Sequence, residues 1–225
     1  MTILLHRTEG NPFFDGKLCP ERFAAAEPLH IASFREESGA ERPDTTAKLL
    51  ETEEGIYGLF EVKGETAHAK ASAPNDSVCL DSCVEFFVSP NIRLGYCNFE
   101  FSVNGTMLAS FIRDHRRVGD GFADFRFLTE EERAGIRVYP ERIGCFADAQ
   151  KSDWKLGFFL PYSLLLSLFR TAKPETGMVW RANLFKCSGD FDEGDCHAKA
   201  HYASLFSVSE LNFHLPQCFG NLVFD

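Results

Sequence analysis

Apolar and polar positions alternate most clearly in the middle of the chain. Between residues 96 and 106, Cys97, Phe99, Phe101 and Val103 fall on one side and Asn98, Glu100, Ser102 and Asn104 on the other. A period of two marks a strand with one buried side. Residues 78–90 read the same way, with Val84, Phe86 and Val88 opposite Glu85 and Phe87. Asn104-Gly105 then gives a strong hairpin signal, because both residues tolerate positive φ, and 107–112 is the returning strand.

The same reading extends along the chain. Residues 47–51 and 56–63 are predicted to form a hairpin through Thr52–Gly55, and 28–34 alternates weakly. The polar stretch 36–46 and the small, polar stretch 64–75 read as loops. Further strands are expected at 135–139, 143–147, 154–160, 201–206 and 220–224. Residues 161–169 form a short helix with Pro161 at its first turn. In 179–186, Trp180, Ala182 and Leu184 share one face and Arg181, Asn183 and Phe185 the other. Many short strands with one or two short helices predict an all-β fold, a two-sheet antiparallel β-sandwich. A length of 225 residues fits a single domain over 1–225.

Composition narrows the function. Phenylalanine occurs 23 times against five Tyr and two Trp, which suits pleated surfaces. A net charge of −10 repels a phosphate backbone, so no nucleic-acid partner is expected. The one dense basic run, Arg113-Asp114-His115-Arg116-Arg117, reads as a solvated loop. The longest apolar candidate, 154–169, is broken by Pro161 and Ser163 and falls short of the ~20 residues of a membrane span, so no membrane partner is expected. The apolar run after Met1 is too short for a signal peptide, which predicts a cytoplasmic protein. Eight cysteines form no Cys-x-x-Cys pair, and several lie in apolar strands, as reduced core thiols do. No phosphate loop or nucleophile elbow is present, so no cofactor is expected.

Three groups of residues could carry chemistry. Glu85, Asn98, Glu100 and Ser102 share the polar sides of two central strands, and a third strand offers Arg181 and Asn183. If the three strands are neighbours, these groups line one sheet face and can hydrogen-bond adjacent hydroxyls, as a sugar presents. An ordinary solvated sheet face fits them equally. Asp81, Glu85 and Glu100 could instead hold a glycosidase acid–base pair, which needs two carboxyls ~5–10 Å apart; with 33 acidic residues a chance cluster is easy. Cys187, Cys196, His197 and His201 are the best metal candidates, and Asp190, Asp192, Glu193 and Asp195 could hold calcium. Loose spacing favours a structural, acidic loop for both sets, and no metal is assigned.

Four blocks in order carry a family likeness: Asp81-Ser-Cys-Val-Glu-Phe-Phe-Val, Tyr96-Cys-Asn-Phe-Glu-Phe-Ser-Val-Asn-Gly, Trp180-Arg-Ala-Asn-Leu-Phe-Lys-Cys-Ser-Gly-Asp and Asn212-Phe-His-Leu-Pro-Gln-Cys-Phe-Gly-Asn-Leu-Val-Phe. The chain resembles the family 9 carbohydrate-binding modules and their uncharacterised relatives, from about residue 49 onward. The resemblance implies a non-catalytic domain whose partner is a mono- or oligosaccharide, its sugar held between two aromatic rings by a carboxylate, an arginine and amides. Glu85 matches the carboxylate, Asn104 and Asn183 the amides, and Phe213 one clamp aromatic. Cys79 stands where the second aromatic is expected and Ser102 where the arginine is, with Arg181 as the substitute. Those departures leave open a scaffold or protein-interaction sandwich that has lost its sugar site.

Overall fold

The computed structural model describes residues 2–14, 17–119, 121–143, 152–189 and 200–225, with backbone alone at 14, 142 and 143. The central alternation produces three consecutive antiparallel strands, Ser82–Ser89, Tyr96–Ser102 and Met107–Val118. Val84, Phe86 and Val88 enter one core with Cys97, Phe99 and Phe101. Gly105 sits at φ +90° in the tight turn after the second strand, and its N–H donates to the Ser102 carbonyl at 2.8 Å. A side chain there would favour negative φ, so glycine closes the turn without strain.

One leaf of the sandwich runs, in spatial order, through Gly121–Phe127, Met107–Val118, Tyr96–Ser102, Ser82–Ser89, Val179–Ser188, Gly220–Phe224 and the start of Thr2–Arg7. The other continues from the end of Thr2–Arg7 through Asp44–Glu51, Gly55–Glu65, Ser152–Pro161 and Arg137–Ile143. Thr2–Arg7 joins the leaves and is parallel to both neighbours, with Leu4 opposite Val223 and His6 opposite Leu50. The other pairings among the described strands are antiparallel. The fold is thus the expected β-sandwich with two parallel seams. Ile3 and Leu5 point inward while Leu4 is exposed, so the N-terminal run is an alternating strand in its own right.

The leaves meet through aromatic rings and one buried ionic cluster. Phe158 of one leaf stacks on Phe86 and Phe101 of the other, with centroids 5.6 and 5.2 Å apart. Lys186 Nζ donates to Glu65 Oε1 at 2.7 Å, and Trp154 Nε1 donates to Glu65 Oε2 at 2.7 Å. His201 Nε2 lies 3.2 Å from the same carboxylate. Burial opposes the charge on Glu65, but Lys186 and His201 outweigh it and hold the carboxyl down at about 2.

Two local expectations change. The basic run lies within the long Met107–Val118 strand, which forms a hairpin with Gly121–Phe127. Two of its charges are spent nearby: Arg113 makes a bidentate pair with Asp124, and Arg116 bonds Asp114. An exposed edge hairpin tolerates charge along its length, which hides its strand character in the sequence. The weak 28–34 strand is two short bridges, Leu29–His30 and Ser33–Phe34. The helix Tyr162–Phe169 follows Pro161 as expected, and a four-residue helix, Glu130–Arg133, starts from a Thr129–Glu132 capping box. Of the strand expected at 143–147, residues 144–147 lie outside the described residues.

Candidate functional site

The face of the central leaf that carries Glu85 was expected to be its open side. Instead every residue of Ser82–Ser89 and Tyr96–Ser102 is buried. The reason lies in the apolar residues among the polar ones. Phe87, Tyr96, Ile112 and Phe185 stand on this face, and Val208, Leu215 and Phe219 of a covering segment, residues 205–219, pack onto them. Asn183 fastens the cover: its Nδ2 donates to the Phe206 carbonyl at 2.9 Å and its Oδ1 accepts from Phe206 N–H at 3.0 Å. A Cβ on Gly220 would come within 2.1 Å of the Phe206 ring, so glycine is what lets that ring lie against the strand.

The cover stops short of one end. There a cleft of about 250 Å³ opens above Glu85, Glu100 and Cys187. Phe213 and His214 form one wall, Cys79 and Leu80 another, and Arg117 and Tyr202 stand at its sides. Phe213 stacks on Phe185 at 4.3 Å with an interplanar angle of 17°, which fixes its ring. His214 Nδ1 lies 2.9 Å from the Tyr96 hydroxyl, and burial holds its imidazole down at about 3, so the ring is neutral.

Glu85 and Glu100 are direct cross-strand partners on the cleft floor. Neighbours in this relation stand with Cβ atoms ~4.5–5.5 Å apart. Burial raises the Glu85 carboxyl well above its usual range, and the charge of Glu100 raises it further. Burial raises Glu100 too, while the hydrogen bond from Asn98 and the charge of Arg117 pull it partly back. Two buried carboxyls this close hold a proton at neutral pH. Glu100 Oε1 accepts from Asn98 Nδ2 at 2.6 Å, whereas its buried Oε2 has no hydrogen-bond partner among the described residues.

The structure therefore brings Glu85, Glu100 and Phe213 to one cleft and places the other expected residues elsewhere. Asn98 lies beside Glu100 on the same strand face, bonded to it and to the Ser110 hydroxyl, and is buried. Asn104 stays in its turn, where Nδ2 donates to the Ala71 carbonyl at 2.7 Å. Asn183 is spent on the cover. Arg181 sits at the far end of its strand, opposite Ser89, and bonds Asn221 and the Phe219 carbonyl. Four residues of strand separate it from the register of Glu85, so it cannot replace an arginine there. Ser102, on the same face one pair along, donates to Asp81 Oδ2 at 2.6 Å. Asp81 also accepts from the Lys70 and Ala71 N–H groups, which separates it from the Glu85–Glu100 pair.

Arg117 and His214 were not foreseen. Arg117 had a signal in the basic run, but reading that run as a loop removed it from the site. His214 follows Phe213 directly, yet only the path of the cover places it at the cleft. Cys187 and His201 leave their sheet on opposite faces, because Cys187 pairs with Tyr202 while His201 pairs with Ser188. The metal set drawn from the sequence is therefore not assembled around them; Cys196, His197 and the acidic residues 190–195 lie outside the described residues.

The sequence pattern of Carbohydrate-binding family 9 matches residues 24–224. The chain belongs to that family. This family 9 domain also resembles solved structures along its whole length. A candidate carbohydrate-binding protein from Bacteroides uniformis ATCC 8492 is 21% identical, with a TM-score of 0.74 over 100% of this chain and 99% of that one. A family 9 carbohydrate-binding module from Caldicellulosiruptor kristjanssonii, solved with glucose, is 13% identical, with a TM-score of 0.63 over 100% and 96%. Its cellotriose complex gives a TM-score of 0.62 at 13% identity over 100% and 93%. Likenesses this distant establish the sandwich fold. No curated protein matches the sequence.

Proposed function

We propose that the Glu85–Glu100 cleft binds one sugar residue, free or at the end of an oligosaccharide. The carrying observation is a carboxylate floor beside a fixed aromatic ring in a cleft of about 250 Å³. That volume is below the ~300–1,000 Å³ of pockets for drug-sized ligands, so it suits a single ring. Glu85 and Glu100 accept hydrogen bonds from neighbouring hydroxyls, Arg117 donates to a ring or hydroxyl oxygen, and Phe213 offers its edge and face to the sugar's C–H groups. Family membership supports the reading, as do the glucose and cellotriose complexes of the Caldicellulosiruptor module.

Calorimetry against glucose, cello-oligosaccharides and a wider panel of sugars tests it. Binding is expected, weakened at least about tenfold in Phe213→Ala and in Glu85→Gln, in keeping with loss of a central anchor. A folded protein silent across the panel would overturn it. Cys79, which stands at the mouth where a second ring would complete a clamp, favours the alternative of a scaffold that recognises protein, and the silent panel is the result that alternative requires.

A further inference from the structure

Beside Glu85 lie two sulfurs that sugar binding does not use. Cys83 and Cys187 are cross-strand partners, so their side chains leave the sheet on one face. Glu85 is two residues from Cys83 on the same strand and shares that face. The two sulfurs and a Glu85 carboxylate oxygen all lie within 4.8 Å of one another. Cys187 Sγ is 3.1 Å from Glu85 Oε1, and Cys83 Sγ is 4.0 Å from it. Donors at ~2.0–2.3 Å from a tetrahedral zinc ion stand roughly 3.3–3.8 Å from each other, a spacing that the observed distances bracket. Little movement is needed to close the three around an ion.

A second observation points the same way. Glu100 is 5% exposed, lines the same cleft beside Glu85, and has a buried Oε2 without a partner. Two carboxyls and two thiols thus share a buried corner, and one buried carboxyl oxygen there is left without a partner among the described residues.

We propose that Cys83, Cys187 and Glu85 form a binding site for a thiophilic divalent cation of the zinc class, with its fourth coordination position open to the cleft. Soft sulfur donors select such ions over calcium or magnesium. On binding, each thiol S–H bond breaks, a sulfur–metal bond forms, and the proton passes to solvent. Glu85 binds as the carboxylate, its own proton also passing to solvent, and Glu100 stands next to the ion without being a ligand. The two readings share Glu85 but the sulfurs belong to this one alone, so metal binding measured without sugar tests it separately.

Titration of the reduced, metal-free full chain with cadmium in the absence of sugar tests the site. One equivalent is expected to produce a thiolate-to-cadmium charge-transfer band, and zinc is expected to abolish it by displacement. The cadmium-113 chemical shift of the wild-type protein is expected to report two sulfur ligands. Cys187→Ser, with the circular dichroism of a folded protein, is expected to weaken binding at least about a hundredfold, more than the ~10–100-fold cost of losing an outer partner. Cys97→Ser, in the opposite core, and Cys196→Ser are expected to keep the band. No band in the wild-type protein, a band that survives Cys187→Ser, or one lost in Cys196→Ser would overturn the proposal. The cadmium shift decides the sulfur count even if a Cys83 variant fails to fold.

Discussion

Glu100 shows how one buried side chain can carry a cost to stability. Its carboxyl is buried beside Glu85 and retains a proton that the unfolded chain gives up near the usual value of 4.5. The unfolded state therefore binds fewer protons above that pH, and stability falls as pH rises from about 4.5 through the folded value. Glu100→Gln keeps an acceptor for Asn98 and removes a titrating carboxyl from beside Glu85. Chemical denaturation is expected to show this variant more stable than wild type at neutral pH, by on the order of 1–3 kcal/mol, with the difference shrinking toward pH 4. A variant that is less stable at both pH values would show that the carboxyl pair carries no such strain.

At the scale of elements, the covering segment 205–219 decides what the central sheet can present. It turns a face that alternation alone would expose into a second core and leaves open only the corner at Glu85. Asn183 holds it by two hydrogen bonds, to Phe206 N–H and the Phe206 carbonyl. Asn183→Ala leaves both Phe206 backbone groups without these partners and is expected to cost about 1–3 kcal/mol. Amide exchange is expected to speed up within 205–219 while Tyr96–Ser102 stays protected. Uniform acceleration across the sheet would mean that the cover is not a separately anchored unit. The same segment carries Phe213 and His214, so its fastening also sets one wall of the cleft.

The whole molecule depends on contacts between leaves that no single element reveals. The Lys186–Glu65 pair spans the two, with both side chains fully buried. Removing one partner strands a buried charge, so Lys186→Met is expected to lose about 3–5 kcal/mol in denaturant unfolding. The pair also has a pH signature. Glu65 is held at about 2 against the usual 4.5, so its contribution is complete above about 4.5 and drains as pH falls toward 2. Acid unfolding of Lys186→Met is expected to lack that component; an unchanged acid profile would show that His201 and Trp154 alone keep the carboxylate charged.

By itself the sequence determined the strands of the central leaf, because a period-two pattern of Phe, Val and Cys against Glu, Asn and Ser admits one register with its apolar side inward. It also determined the Asn104-Gly105 turn, the helix after Pro161, the sandwich class and the family, since each rests on local pattern or ordered blocks. Only the tertiary structure decided which polar residues meet. Glu85, Glu100 and Phe213 share a cleft, while Asn104, Asn183 and Arg181 are taken up by a turn, a cover and a strand end. Periodicity fixes the face on which a side chain leaves its strand, but not which distant segment covers that face. Residues 205–219 cover most of it and stop at the Glu85 corner, and Cys83 and Cys187 reach that corner through the pairing of strands about a hundred residues apart in sequence.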